Sequence, residues 1–348
     1  MAHYKNHLLS KGSTIKQALV KLNKLAEDSI LFVVDLENKL LGSLTDGDIR
    51  RGLINGVSVD DTVDSVSQHN PRFIRKGESN IDKLISYREK NLKIIPVLDH
   101  DNAVVNVINF RFLKSYLPID AVIMAGGRGE RLKPLTNTTP KPMLPVGEKP
   151  IIEHNIDLLS SYGIDNFWIS VRYLGEKIQA FLKNGSHKNI KIEYVWEDSP
   201  LGTIGAVAQV TNFEHEFVLV TNSDLLTNLN YEEFFLNFIE ADADLSVVTI
   251  PYDIKIPYAV METDGNIVSG FKEKPTFTYY SNGGIYLMKK KVLDFLPKDT
   301  FFNATDLMQL LIDKNLKVHS YPLLDYWLDI GKHEDYKKAQ RDINQLKL

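Results

Sequence analysis

The sequence predicts an α/β protein in two parts: an α+β pair over residues 1–117, then a mostly parallel sheet with helices on both faces over residues 119–348. Three observations carry this. The first part repeats itself weakly, and strand-like and helix-like segments alternate after residue 119. Between them Leu117–Pro118 marks a joint, since proline ends the preceding helix and starts extended chain.

Within the first part, Leu31–Phe32–Val33–Val34–Asp35 followed by Asn38 and Leu41 is echoed by Ile95–Pro96–Val97–Leu98–Asp99 followed by Asn102 and Val105. Each copy reads as strand, tight Asp/Asn turn, strand, then helix. A helical pattern precedes each: Thr14, Ile15, Ala18, Leu19 and Leu22 in the first, Ile81, Leu84 and Ile85 in the second. The copies span about 8–60 and about 63–117, and pairing hides the sheet face that one alone would expose.

Beyond the joint, strands are predicted at Ala121–Ala125, Asn166–Val171, Lys191–Trp196, Phe217–Thr221 and Asp244–Ile250, with helices at Ile152–Ser161 and Glu176–Leu182. Phe234, Phe235 and Phe238 read as one face of a helix packed on the sheet. Such alternation gives a parallel sheet whose ligands sit beyond the carboxyl ends of its strands. A glycine-rich turn stands there, running from Ala125 through Gly126, Gly127 and Gly129 to Arg131, with Lys141 after a proline-rich span. Glycines let successive N–H groups converge on a phosphate, and the two cations add charge that backbone dipoles lack. The order G-G-x-G-x-R fits neither a Walker A loop nor a dinucleotide fingerprint, which sets aside ATPase and dehydrogenase readings.

The bulk numbers narrow the classes. With 348 residues, 43% hydrophobic and 25% charged, the chain has room for two or three soluble domains. A net charge of −4 gives no support for nucleic-acid binding. Cysteine is absent, which excludes disulfides and thiolate metal sites. No signal-peptide core or long apolar run occurs, so a cytoplasmic location without membrane attachment is expected.

The glycine-rich segment resembles that of the sugar-1-phosphate nucleotidyltransferases, a likeness running from about residue 120 to 340 through later landmarks in order. These are Leu219–Asp224, the Glu273–Lys274–Pro275 motif, Asn282–Gly283–Gly284–Ile285–Tyr286, and the W-x-D-x-G motif from Trp327 to Gly331. The resemblance implies a Rossmann-like α/β/α domain with a mixed, mostly parallel sheet. It also implies transfer of a nucleotidyl group from an NTP to a sugar 1-phosphate, giving an NDP-sugar and pyrophosphate.

In that family's terms Asp224 and Asp329 hold Mg²⁺, Arg131 holds the leaving pyrophosphate, and Lys141 faces the α-phosphate. Ala125, Gly126, Gly127, Gly129, Glu197, Gly202 and Thr203 are expected at the nucleotide; Glu273, Lys274, Asn282 and Gly284 at the sugar phosphate. The physics agrees. Bringing two anions together demands neutralised charge and fixed geometry, and a sugar phosphate needs no general base. Glu197 stands where thymidylyltransferases carry glutamine; a carboxylate only accepts, and guanine offers adjacent N1–H and N2–H donors, which favours GTP. Tyr258–Ala259–Val260 replaces the usual Tyr-Gly-Val and leaves the sugar open. The chain ends soon after Asp329, so no acyltransferase β-helix is expected.

The N-terminal pair resembles CBS (cystathionine-β-synthase-type) domains, through Gly42–Ser43–Leu44–Thr45–Asp46–Gly47–Asp48–Ile49. That resemblance implies an adenine nucleotide with Thr45 at its phosphate and Asp48 at its ribose; a packing or dimerisation module without ligand is the alternative. In the second copy Asn109 and Phe112 replace those two residues, so at most one ordinary site is expected. A homo-oligomer is expected, as CBS pairs meet through their helices. The fused arrangement is similar to guanylyltransferases acting on glucosamine 1-phosphate in nonulosonic-acid pathways, with mannose 1-phosphate equally open.

Three rivals remain at this point: a thymidylyl- or uridylyltransferase on glucose 1-phosphate, a catalytically silent nucleotide sensor, and a metal-dependent glycosyltransferase. Against the last, Asn222–Ser223–Asp224 lacks the first acid of a D-x-D motif. His3 and His7 have helical ligand spacing but no third ligand.

Overall fold

A computed structural model describes residues 4–346. The chain divides into two compact units. One comprises residues up to Ile119 with Leu159–Asn166 and Asn184–Lys191; the other comprises Asp120–Leu158, Phe167–Lys183 and the chain from Ile192 onward. His3 lies outside the described residues, and His7 is buried with Nδ1 2.9 Å from the Ile30 carbonyl.

In the first unit the repeat is physical. Strands Leu8–Ser10, Ile30–Val34 and Leu40–Thr45 form one three-stranded sheet; Ile74–Arg75, Ile94–Leu98 and Val104–Asn109 form another with the same parallel-then-antiparallel pairing. Both tight turns are closed alike. Asp35 Oδ1 accepts from the Glu37 and Lys39 amides, and Asp99 Oδ1 from those of Asp101 and Ala103. Asn38 and Asn102 take the left-handed conformation that asparagine tolerates. The turns also bond reciprocally, Leu40 N to Asn102 O at 3.0 Å and Val104 N to Asn38 O at 2.9 Å.

Helix Ile15–Leu25 starts with a capping box between Thr14 and Gln17 and buries Ile15, Ala18 and Leu22. Helix Asp46–Ile54 has a second box, formed by Thr45 and Asp48, the two residues expected at an adenine nucleotide. Asp48 Oδ2 accepts from the Thr45 amide at 2.9 Å and hydroxyl at 2.6 Å; Oδ1 accepts from Arg51 at 2.5 Å and Gln68 at 3.1 Å. These four donors match the roughly four acceptor positions of a carboxylate. In the second copy no helix follows Val104–Asn109, contrary to the expected repeat. Without an acid at the Phe112 position there is no reciprocal cap, and the Asn109 side chain instead accepts from the Arg111 amide.

The second unit is built on a seven-stranded mixed sheet. Its order is Lys191–Trp196, Asn166–Val171, Ile119–Met124, Phe217–Asn222, Thr276–Lys289, Leu245–Lys255, Val318–Pro322. Ile119–Met124 and Asn166–Val171 pair in parallel, whereas Thr276–Lys289 runs antiparallel to both of its neighbours. The expected strands form within a few residues of their predicted bounds, as do helices Ile151–Ser161 and Gly175–Leu182. Phe234, Phe235 and Phe238 on helix Tyr231–Glu240 are fully buried, the last two edge-on to Phe217. Each such ring contributes about 2–3 kcal/mol by leaving water.

One strand outruns its prediction. Leu245–Lys255 continues past Ile250, paired with Thr276–Lys289 as far as Lys255↔Thr276, and hairpin Val260–Asp264/Ile267–Lys272 caps the ribbon. Cross-strand pairs Tyr252↔Tyr279 and Ile254↔Phe277 favour the extension.

Burial alone would raise the Asp48 carboxyl pKa, but bonds from Thr45, Gln68 and Arg51 outweigh that and hold it below the usual range. Its ionised form therefore stabilises the fold above the ordinary aspartate pKa, a contribution lost as pH falls through the lower folded value. Asp48→Ala is expected to cost about 1–2 kcal/mol in denaturant unfolding at pH 7, with the gap to the parent chain narrowing below about pH 4.

Candidate active site

The site is assembled by a short ladder. Leu225–Thr227 pairs antiparallel with Trp327–Asp329, placing Leu225 opposite Asp329, and the Ile330 amide donates to the Asp224 carbonyl at 3.1 Å. Two acids distant in sequence thereby become neighbours. Lys141 lies between them, its Nζ donating to Asp224 Oδ2 and standing 3.8 Å from Asp329 Oδ1. Arg131 comes beside the same pair: a Cβ on Gly331 would lie 3.5 Å from its guanidinium.

Asn155 braces this arrangement and gave no signal in the sequence. Buried in helix Ile151–Ser161, it donates to the Leu225 carbonyl at 2.9 Å. Trp327 Nε1 donates to the Gly283 carbonyl at 2.9 Å, tying the W-x-D-x-G segment to the central sheet.

A cavity of about 300 Å³ opens beside the ladder, at the carboxyl ends of the strands. Of the expected nucleotide residues, Gly126, Gly127, Glu197, Gly202 and Thr203 line it, together with Lys141 and Asp224. Ala125 sits underneath, its amide donating to the Ser170 carbonyl at 2.9 Å. Gly129, at φ +62°, supports the Lys141 stem, and a Cβ there would approach it to 3.0 Å. Gly126 lets Glu197 lie against the backbone, since a Cβ would stand 2.4 Å from Glu197 Oε1. Ser170 donates its hydroxyl to that oxygen, and the Leu201 amide donates to Oε2 at 3.1 Å. Gly202, at φ +80°, passes so close to Phe302 that a Cβ would meet its carbonyl at 2.5 Å. Thr203 is held to the start of the next helix, its hydroxyl accepting from the Ala304 amide at 2.9 Å.

The expected sugar-phosphate group is not brought together. Asn282 spends its side-chain oxygen on the Gly284 amide at 2.9 Å and the Tyr286 hydroxyl at 3.0 Å. Gly284, at φ +73°, packs on Asn222. Glu273 and Lys274 are exposed at the far end of the ribbon and do not line the cavity. About 20 Å of extended strand separates Asn282 from Thr276, more than a side chain spans.

The family model described as nucleotidyl transferase matches residues 120–345. The chain belongs to the nucleotidyl transferase family. A CBS domain model matches residues 7–55. Among curated relatives, the chain is 30% identical over 243 residues to a UTP–glucose-1-phosphate uridylyltransferase from Synechocystis, covering 64% of this chain and 63% of that protein. It is 31% identical over 232 residues to a mannose-1-phosphate guanylyltransferase from Mycobacterium tuberculosis, covering 65% and 64%. It thus spans under two thirds of the length of either relative. The solved structure of HddC from Yersinia pseudotuberculosis complexed with GMP-PN matches with a TM-score of 0.51 and 28% identity, covering 64% of this chain and 99% of that one.

The nucleotidyl transferase unit has donors suited to a hard divalent cation. Asp329 Oδ1 is shut off from solvent and has no hydrogen-bond partner, although the side chain as a whole is 42% exposed. That oxygen points inward, and Lys141 Nζ, 3.8 Å away, is too far to hydrogen-bond to it. No cluster of three or more His, Cys, Asp or Glu side chains able to hold a metal occurs among the described residues. A divalent ion on Asp224 and Asp329 must therefore complete its shell with substrate oxygens and water. No helix among the described residues is long and apolar enough to cross a membrane.

Burial raises the Asp329 pKa first and the neighbouring Asp224 second, against the pull of Lys141 and Arg131. Its ionised form thus opposes folding at neutral pH. Without divalent cations, Asp329→Asn is expected to raise the melting temperature at pH 7, and the gain should vanish near about pH 3, where both variants are uncharged at this position. A lower melting temperature at pH 7 would show that attraction to the two cations outweighs burial.

Proposed function

We propose that this protein transfers a nucleotidyl group from an NTP, GTP favoured, to a sugar 1-phosphate, releasing pyrophosphate. The observation that carries this is the convergence of Lys141, Arg131, Asp224 and Asp329 beside a glycine-walled cavity. The sugar-phosphate oxygen attacks the α-phosphorus, the bond from that phosphorus to the β-phosphate bridging oxygen breaks, and pyrophosphate carries the charge away. No proton need move, because the nucleophile is already an anion.

Arg131, with its planar fork, would hold the leaving pyrophosphate, and Lys141 would turn from Asp224 towards the α-phosphate. Mg²⁺ on Asp224 and Asp329 would offset charge developing on the phosphate. Residues 119–348 form the catalytic domain in this reading, and residues 1–117 the CBS pair. The preference for GTP rests on Glu197. Its two oxygens keep acceptor positions beyond those used by Ser170 and Leu201, which suits guanine's paired donors. The guanylyltransferase name of one relative and the GMP-PN complex of another support the same base.

A matrix of GTP, UTP, dTTP and ATP against glucosamine, mannose and glucose 1-phosphates, read by pyrophosphate release, tests this reading. GTP is expected to lead; faster turnover with UTP or dTTP would overturn the base assignment. Asp224→Asn and Asp329→Asn should each lower kcat/KM at least about 100-fold in that assay while far-UV circular dichroism stays unchanged.

A further inference from the structure

One cation in the cavity has no part in the reading so far. Arg172 follows strand Asn166–Val171 at its carboxyl end and lines the cavity with Glu197. Its Nε is buried and has no hydrogen-bond partner among the described residues. A guanidinium N–H removed from water and left unmatched is costly, and such orphans point to an absent acceptor. Glu197, which lines the same cavity, is oriented by Ser170 and the Leu201 amide and does not bond this nitrogen.

Position narrows the ligand. In the sheet order, the strand ending at Arg172 lies between the one leading to Glu197 and the one feeding the glycine-rich turn. The Glu197 amide donates to the Val171 carbonyl at 3.0 Å, so the two residues are backbone neighbours at one end of the sheet. The cavity thus offers a fixed acceptor beside a guanidinium whose Nε has no acceptor. Guanine presents the complement on two adjoining edges: acceptors N7 and O6 on one, donors N1–H and N2–H on the next. Adenine puts a donor where O6 stands, and uracil and thymine have no N7. An arginine fork matches N7 and O6 bidentately and is rigid and planar, where a lysine ammonium is a flexible point charge.

We propose that Arg172 is a base-specificity residue that donates to guanine O6 and N7 while Glu197 accepts from N1–H and N2–H. This rests on the GTP reading above, and the two can fail separately.

The test compares GTP, 7-deaza-GTP, ITP and UTP by pyrophosphate release, in the full chain and in Arg172→Ala and Arg172→Lys. The full chain should use 7-deaza-GTP about tenfold less efficiently in kcat/KM than GTP. Arg172→Ala should lose most of that difference and Arg172→Lys part of it, and both should keep the preference for GTP over ITP, which lacks the 2-amino group facing Glu197. Arg172→Lys keeps the charge, so an unchanged melting temperature separates lost recognition from lost folding. Equal use of GTP and 7-deaza-GTP by the full chain would overturn the role of Arg172 and leave the GTP reading standing. So would an equal loss on both nucleotides in the variants, which would mark a phosphate contact. A full chain that prefers UTP to GTP would overturn both.

Discussion

The antiparallel pairing of Leu225–Thr227 with Trp327–Asp329 is the constraint on which the nucleotidyl transferase unit depends. Two carboxylates brought together repel, and burial makes that worse, as the raised pKa of Asp329 shows. The fold holds them in place by bonds that involve neither acid's carboxylate: the ladder itself, the Ile330 amide on the Asp224 carbonyl, Asn155 on Leu225 and Trp327 on Gly283. Lys141 partly neutralises the pair from between them. An acid pair held in this way is suited to a further cation, which relieves the repulsion that Lys141 only partly offsets.

The cavity wall follows a different rule, close approach of backbone. Gly126 leaves room for the Glu197 carboxylate, and Gly202 for the Phe302 carbonyl. Both glycines stand where a side chain would fill space that the site uses, a stronger reason for glycine than turn geometry alone. With Ser170 and the Leu201 amide fixing its orientation, Glu197 is a preorganised acceptor rather than a mobile surface acid.

In the first unit, the motif expected at a nucleotide also serves the backbone. Thr45 and Asp48 close the start of a helix, and Arg51 and Gln68 fill the remaining acceptor positions. A threonine followed three residues later by an acid has two physical uses, helix capping and ligand binding, and spacing does not separate them. The far end of the nucleotidyl transferase unit teaches a similar lesson. The Glu273–Lys274–Pro275 motif is plain in the sequence, but how far its ribbon extends depends on cross-strand pairs such as Ile254↔Phe277, which are invisible along one strand.

Local pattern was enough to determine the alternating strands and helices, the repeated Asx turns, the buried phenylalanine face and the glycine-rich turn, because each depends on neighbours a few residues apart. The sequence also named the acids and bases of the site, since their types and order are chemistry the chain spells out. Tertiary structure alone decided which of them meet, Asp224 with Asp329, Lys141 between them and Lys274 remote, and it alone brought in Arg172, which no motif had marked, at the cavity that Glu197 lines. Those relations are set by strand pairing, by register and by which buried donors lack an acceptor, quantities that exist only once distant segments are in contact.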